Sequence, residues 1–240
     1  MEDYQLHPTM VFSLSYWRFV RLLTGKGDRT VEGDNLDVTG LYEGMKDIPK
    51  IEMMFFTDFV FEAGAKILLG TYGSNLDKEE RDMKFMMENF NCAGTHFTTP
   101  YRYMVIALGC AILRKRTGDH KYSRFKNKMI QELEKYYEKK APIATGPYLL
   151  VAAEAMAHRP RRNSWEDIQR AYLEAMEESR RCGGFIYVEA YGYEKLAKLA
   201  KARKDGPKVQ FYLEQALATY TRWGATVKID ELAGRLAVRR

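Results

Sequence analysis

"YLEQALATYTRWGATVKIDELA", residues 212–233, starts as a helix, meets Trp223 and Gly224, and then resumes as a helix. Between 207 and 223, Val209, Tyr212, Leu213, Ala216, Leu217, Tyr220 and Trp223 recur three and four residues apart, so they share one apolar stripe. Small Ala216 leaves room on that stripe for a neighbouring helix. Gly224 fits the left-handed position just past a helix end, where a residue without Cβ meets little steric resistance. Beyond it, Val227, Ile229, Leu232 and Leu236 predict a short terminal helix that folds back over the apolar edge of the preceding helices, and its end "RLAVRR" suits a cap facing water. A structural repeat is therefore expected to finish at Trp223-Gly224.

Upstream, the same grammar recurs. Helices are expected over 207–223 and 185–204, separated by "KDGP", and over 164–182 and 147–158, separated by "RPRRN". Pro100 opens another to about Arg116, and "TGDH" turns the chain into a long charged helix ending near Lys140. A 40-residue shift superposes Glu154 and Ala157 on Glu194 and Ala197, Tyr172-Leu173-Glu174 on Tyr212-Leu213-Glu214, and Gly184 on Gly224. Two helices in about 40 residues is close to the tetratricopeptide period and its longer relatives. Units of this kind bury their apolar faces only by stacking on one another.

Nearer the N-terminus, residues 9–23 read as a buried helix and 24–50 as a loop rich in Gly and Asp. Phe56, Phe59, Val60, Ala63 and Ile67 mark a helix stopped by Gly70 and Gly73; 77–90 form a charged amphipathic one. The expected fold class is all-α: antiparallel helix pairs stacked as a tetratricopeptide-like right-handed solenoid with a C-terminal capping helix. The whole of 1–240 is expected to be one helical-repeat domain. It divides into helix plus loop (1–50), divergent helix pairs (51–140), the clearest repeats (141–226) and the cap (227–240).

With 240 residues and 46% apolar content the chain has enough material for a core. Its longest apolar run, 104–113, is half of the roughly 20 residues a membrane-spanning helix needs. No secretory leader is recognisable, and three scattered cysteines suit a reducing compartment, so a cytoplasmic location is expected. The net charge of +6 is unevenly spread: residues 1–113 hold 11 Lys/Arg and 16 Asp/Glu, whereas 114–240 hold 27 and 16. A basic half could meet nucleic acid; it could equally be solvated charge on helix surfaces, since acids are interleaved throughout.

Motifs for chemistry are sparse. The phosphate-cradling pattern G-x-x-x-x-G-K-[ST] is absent, and "TGKGDRT" (24–30) lacks both its spacing and a preceding strand. Kinase signatures are missing as well. Cys92 and His96 form a single Cys-x3-His pair, too few ligands for a structural zinc site and without a third residue to orient a Cys-His nucleophile. No catalytic, metal or cofactor residues are assigned, and the chain is read as a non-enzyme. The aromatic surplus, including Tyr101, Tyr103, Tyr136, Tyr137, Tyr172 and Tyr212, is expected to wedge between helices, and any ring left on a concave face to anchor a peptide. Tyr101-Arg102-Tyr103 could instead stack nucleobases.

Tyr220, Trp223, Gly224, Ala225 and Lys228 resemble the closing signature of a helical-repeat region in very large STAND-type AAA ATPase signalling proteins. There, a Leu- or Ala-rich helix ends in Tyr-x-x-Trp-Gly-Ala, followed by Lys and a short helix. "KKAPIATGPYLLVAAEAMA" (139–157) is similar to the family's Ala-Pro segment and its Ala-Glu-Ala run, through Ala141, Pro142, Leu149, Leu150, Ala153 and Glu154. "LLTGKGD" and the aromatic helix ending "KILLGTYG" follow the family's earlier portion in order and spacing. The resemblance covers most of the chain, tightly over 141–228 and loosely before. It implies a sensor or scaffold segment that follows an ATPase module in proteins carrying protein-kinase-like, GAF, histidine-kinase or cyclase domains. The implied partner is a protein or peptide, among them an ATPase or kinase domain of the same parent polypeptide; the basic half keeps nucleic acid as the second reading, and the short apolar run argues against a membrane. Ala141, Pro142, Glu154, Tyr172, Tyr212, Ala216, Tyr220, Trp223, Gly224 and Lys228 carry the repeat signature. This chain starts with Met and holds only the helical part, so a freestanding product and a piece of a larger protein are both expected readings.

Overall fold

The structure, a computed structural model, describes residues 8–25, 51–93, 97–159, 161–183 and 185–237; of 8–14, 51–54, 92 and 93 it describes only the backbone. Among these residues every regular element is helical. They are α1 (Pro8–Leu23), α2 (Ile51–Leu69), α3 (Leu76–Asn89), a 3-10 turn (Phe90–Ala93), α4 (Thr99–Thr117), α5 (His120–Glu138), α6 (Pro142–Ala157), α7 (Trp165–Arg181), α8 (Ile186–Ala202), α9 (Gly206–Trp223) and α10 (Thr226–Ala237). The expected loop at 24–50, with "TGKGDRT", lies outside the described residues apart from Thr24 and Gly25, and so does Gly184.

Helix starts alternate in chemistry. Side-chain oxygens of Asn75, Asp119, Ser164 and Asp205 accept from backbone N–H groups at the heads of α3, α5, α7 and α9, satisfying donors a helix start leaves unpaired. By contrast, α4 and α6 begin with Pro100 and Pro142, whose missing N–H costs nothing in the first turn. The expected start of α6 at 147 is thus five residues late. Pro142, after extended Ala141, begins the helix, and Pro147 sits inside it. Pro147 forfeits only the bond to the carbonyl of Ile143, too near the helix start to end it.

Consecutive helices pack on each other from α4 through α10, and α2, α4, α6 and α8 also contact one another in series. Of these, α4 is the most enclosed: Tyr103 through Cys110 are all buried, which explains the long apolar run without a membrane. No described helix is long and apolar enough to cross one. A single apolar cluster runs from Leu23 to Leu232.

Repeat register shifts within the pairs. Glu154 and Glu194 keep the 40-residue step, but the caps Ser164 and Asp205, and buried Ile168/Val209 and Ala175/Ala216, are 41 apart. One extra residue between Glu194 and Asp205 accounts for the difference. Tyr172 therefore corresponds in burial to Leu213, and Leu173, 39% exposed, has no such role.

Aromatic rings tie the two ends of the chain together. Phe19 in α1 lies 5.7 Å from Phe61, 6.5 Å from Tyr101 and 6.3 Å from Trp223 at the end of α9. Tyr101 in turn stacks on Phe61 at 5.3 Å and meets Tyr187 of α8 edge-on at 5.3 Å. Helix α1 also contacts α10. Rings of five helices thus meet in one seam, held by offset and edge-to-face contacts.

Candidate ligand-binding cleft

A cleft of about 520 Å³ opens between α2, α4, α6 and α8. Helix periodicity assembles it. Leu108, Ala111, Ile112 and Lys115 are one face of α4, Glu154 and His158 one face of α6, and Tyr191, Glu194, Lys195 and Lys198 one face of α8, each set at three- and four-residue steps. Ile67, Gly70 and Tyr72 close the α2 side. The floor is apolar and the upper edge is cationic. Helix α4 ends there because Gly118 takes the left-handed conformation, φ +76°, and its N–H returns to the Arg114 carbonyl. That stop leaves Lys115 and Arg116 exposed at the cleft's lip.

Two carboxylates lie in the wall, and the protein itself occupies both. Glu154 accepts from the Tyr172 hydroxyl at 2.7 Å and pairs with Lys195 at 3.0 Å. Glu194 accepts from the Tyr220 hydroxyl at 3.2 Å and pairs with Lys198 at 2.8 Å and Lys228 at 3.0 Å. The arrangement is repeated: a buried Glu, a cation-capable residue four positions on (His158, Lys198), a Tyr from the following helix and a Lys from the helix after that. Burial by itself would raise both carboxyls, but Lys195 with Tyr172 and His158, and Lys198 with Lys228, hold them below the usual range. Although burial opposes its charge, Lys195 is pushed above an ordinary lysine by Glu154 and Tyr191, so it stays protonated.

The closing signature acquires a physical meaning from this network. Lys228 is 1% exposed and sits 5.7 Å above the Tyr220 ring, whose other neighbour is Trp223, stacked at 6.2 Å. Gly224, at φ +81°, lets the chain turn so that the Gly224 and Ala225 N–H groups return to the Tyr220 carbonyl and α10 brings Lys228 back to Glu194. Ala141 is the N-cap of α6 and Pro142 its first residue. Tyr212 and Ala216 are buried on α9, with Tyr212 6.4 Å from Tyr193. Of the ten signature residues, then, Glu154 with Tyr172, and Tyr220, Trp223, Gly224 and Lys228 around Glu194, converge on the cleft wall. Ala141, Pro142, Tyr212 and Ala216 serve helix start and packing elsewhere.

Sequence reasoning passed over Lys115, Arg116, His158, Tyr191, Lys195 and Lys198. A signal existed for two of them: His158 and Lys198 follow Glu154 and Glu194 by four residues at the same 40-residue step. The nucleobase-stacking option for Tyr101-Arg102-Tyr103 does not survive: Arg102 is 1% exposed, donating to Thr57, and both rings are packed against other aromatics. The Cys92 side chain and His96 lie outside the described residues. Among those described, no group of three or more His, Cys, Asp or Glu is placed to hold a metal.

The lining of the cleft contains no Ser, Thr or Cys to act as a nucleophile, its carboxylates are engaged, and its buried lysine is held as an ammonium. Four Lys/Arg against two Glu leave it net positive. Compared with known proteins, the chain matches no family model, no curated protein and no solved structure.

Proposed function

We propose that the chain is a non-enzymatic helical-repeat interaction module: antiparallel pairs α4–α5, α6–α7 and α8–α9 stacked as a tetratricopeptide-like right-handed solenoid, capped by α10. In this reading the cleft is the inner surface, and a segment of a protein partner lies in it. The observation that carries the reading is a cleft built by one face of each of four successive alternate helices, apolar below and cationic above. The repeated Glu-Tyr-Lys network supports it by making the wall a rigid frame. The resemblance to the sensor segment of STAND-type ATPase signalling proteins supports a regulatory role in the cytoplasm, with an ATPase or kinase domain of the same polypeptide among the partners.

Selection of a random-peptide library on the full chain tests this reading. Selected sequences should share a pattern and lose binding to an Ala111→Arg variant, which fills the cleft from a partly exposed position of α4. Selection of nothing, or peptides indifferent to Ala111→Arg, would overturn it. One observation favours nucleic acid as a second reading: exposed Arg159, Arg161 and Arg162 gather with His158 at the α6–α7 turn. Binding through phosphates would weaken steeply with rising salt.

A further inference from the structure

Resting on that interaction reading, we infer that the cleft recognises an acidic protein segment, a run of Glu or Asp carrying an apolar residue, and that Lys115 and Arg116 are its principal anchors. The distribution of ion pairs points there. Lys195 and Lys198 are matched by Glu154 and Glu194, whereas Lys115 and Arg116 have no carboxylate partner among the described residues. They stand in the last turn of α4, where they also offset that helix's negative end. One half-charge cannot neutralise two full ones, so the lip stays positive.

Arg116 runs beside the turn that precedes α3. Its side chain lies across Gly73, where a Cβ would stand 3.4 Å from Nε and 3.6 Å from Cγ; Gly73 is at φ +93°, and its N–H is fixed by Glu79 at 2.7 Å. A guanidinium so placed presents a planar fork that suits a carboxylate in two parallel hydrogen bonds. Below it, Ile112, Leu108 and Ile67 provide an apolar floor for a neighbouring side chain.

Nucleic acid fits the same cleft less well. Tyr72 and Tyr191, its aromatic lining, are 6% and 5% exposed, so no ring face is offered for bases to stack on. Carboxylates beside an apolar side chain satisfy both halves of the lining; a phosphate backbone uses only the upper one.

Fluorescence anisotropy on the full chain tests the inference at about 0.1 M salt. The probes are a labelled glutamate-and-leucine peptide, the same peptide with glutamine at every glutamate, and an oligothymidylate of equal length. The acidic peptide should bind at least about tenfold more tightly than its glutamine counterpart, and Lys115→Glu with Arg116→Glu should weaken it by about tenfold or more. Lys115→Gln with Arg116→Gln should weaken it in the same direction with an unchanged melting profile, which separates loss of recognition from loss of fold. Lys84→Glu, at an exposed position of α3, should change it by less than about twofold. Equal binding of the glutamine peptide, no effect of the paired substitutions, or tighter oligothymidylate binding displaced by the acidic peptide would each overturn the inference. If library-selected peptides bind the cleft and the acidic probe does not, this inference falls and the interaction reading stands; if neither binds, both fall.

Discussion

Lys228 is 1% exposed, with its Nζ 3.0 Å from Glu194 and 2.6 Å from Glu231. Removing one member of a buried pair costs the compensation of the other, about 3–5 kcal/mol, so Lys228→Met should lower the urea midpoint. Glu194 retains Lys198 and Tyr220, which argues for the lower end of that range. Adding Glu194→Gln to Lys228→Met should cost less than the two single losses together, because no orphan charge remains; strict additivity would contradict the pairing. The same carboxylates fix the response to acid. Glu154 and Glu194 are depressed on folding, so their contribution is complete above the unfolded glutamate value, about 4.3, and is lost as pH falls through the folded values. Glu62, which burial would raise, is brought down to about 2 by Lys66 and Lys78, so its share persists to lower pH. Urea midpoints should therefore decline below about pH 4 and keep declining toward pH 2, less steeply in Glu154→Gln with Glu194→Gln. A profile flat over that interval would refute the assignment.

Between elements, α2 leaves no room for a side chain where Gly64 faces α4. A Cβ on Gly64 would stand 2.1 Å from the Tyr101 hydroxyl and 3.3 Å from Val105. Phe61 and Tyr187 hold the Tyr101 ring from two sides, so it has nowhere to swing. Gly64→Ala should cost about 1–3 kcal/mol of stability by overpacking. The Tyr101 hydroxyl is buried with no partner among the described residues, so Tyr101→Phe should be close to neutral and should recover part of the Gly64→Ala loss in thermal melts. Full additivity of the two would mean that the helices had moved apart instead. At this scale the sequence was most readable where the signal is local: Pro100 and Gly118 bound α4, Asp205 and Gly224 bound α9, and each acts within a turn of itself. The sequence places the start of α6 at 147, whereas Pro142 has already begun the helix and Pro147 lies within it. Tyr220 was legible as part of a stripe; its hydroxyl's partner was not, since Glu194 is 26 residues away on another helix.

For the whole molecule, the all-helical class followed from periodicity, while the cleft did not. Its cations are four anonymous members among 38 Lys/Arg until four alternate helices bring one face apiece to the same place. The closure of the chain was hidden for a similar reason: nothing near Phe19 announces Trp223 or Tyr101. That closure sets what a truncation would do. Ending the chain after Gly184 removes α8, α9 and α10, and with them Lys195 from Glu154, Tyr187 from Tyr101 and Trp223 from Phe19. Glu154 would lose its lysine, and the faces of α6 and α7 that bury Met176 and Val151 would meet water. Stacked units depend on their neighbours, and the end of the stack needs a polar outer face. The truncated chain should therefore aggregate in light scattering or melt over a broad range in calorimetry, whereas the full chain should melt in one cooperative step. Removing only α10, by ending after Ala225, should give an intermediate result: a single transition at lower temperature, because Leu232 and Lys228 are lost but α8 and α9 still cover α7. An unchanged cooperative melt after truncation at Gly184 would mean that the C-terminal helices are a separate unit and that the stack does not run through the molecule.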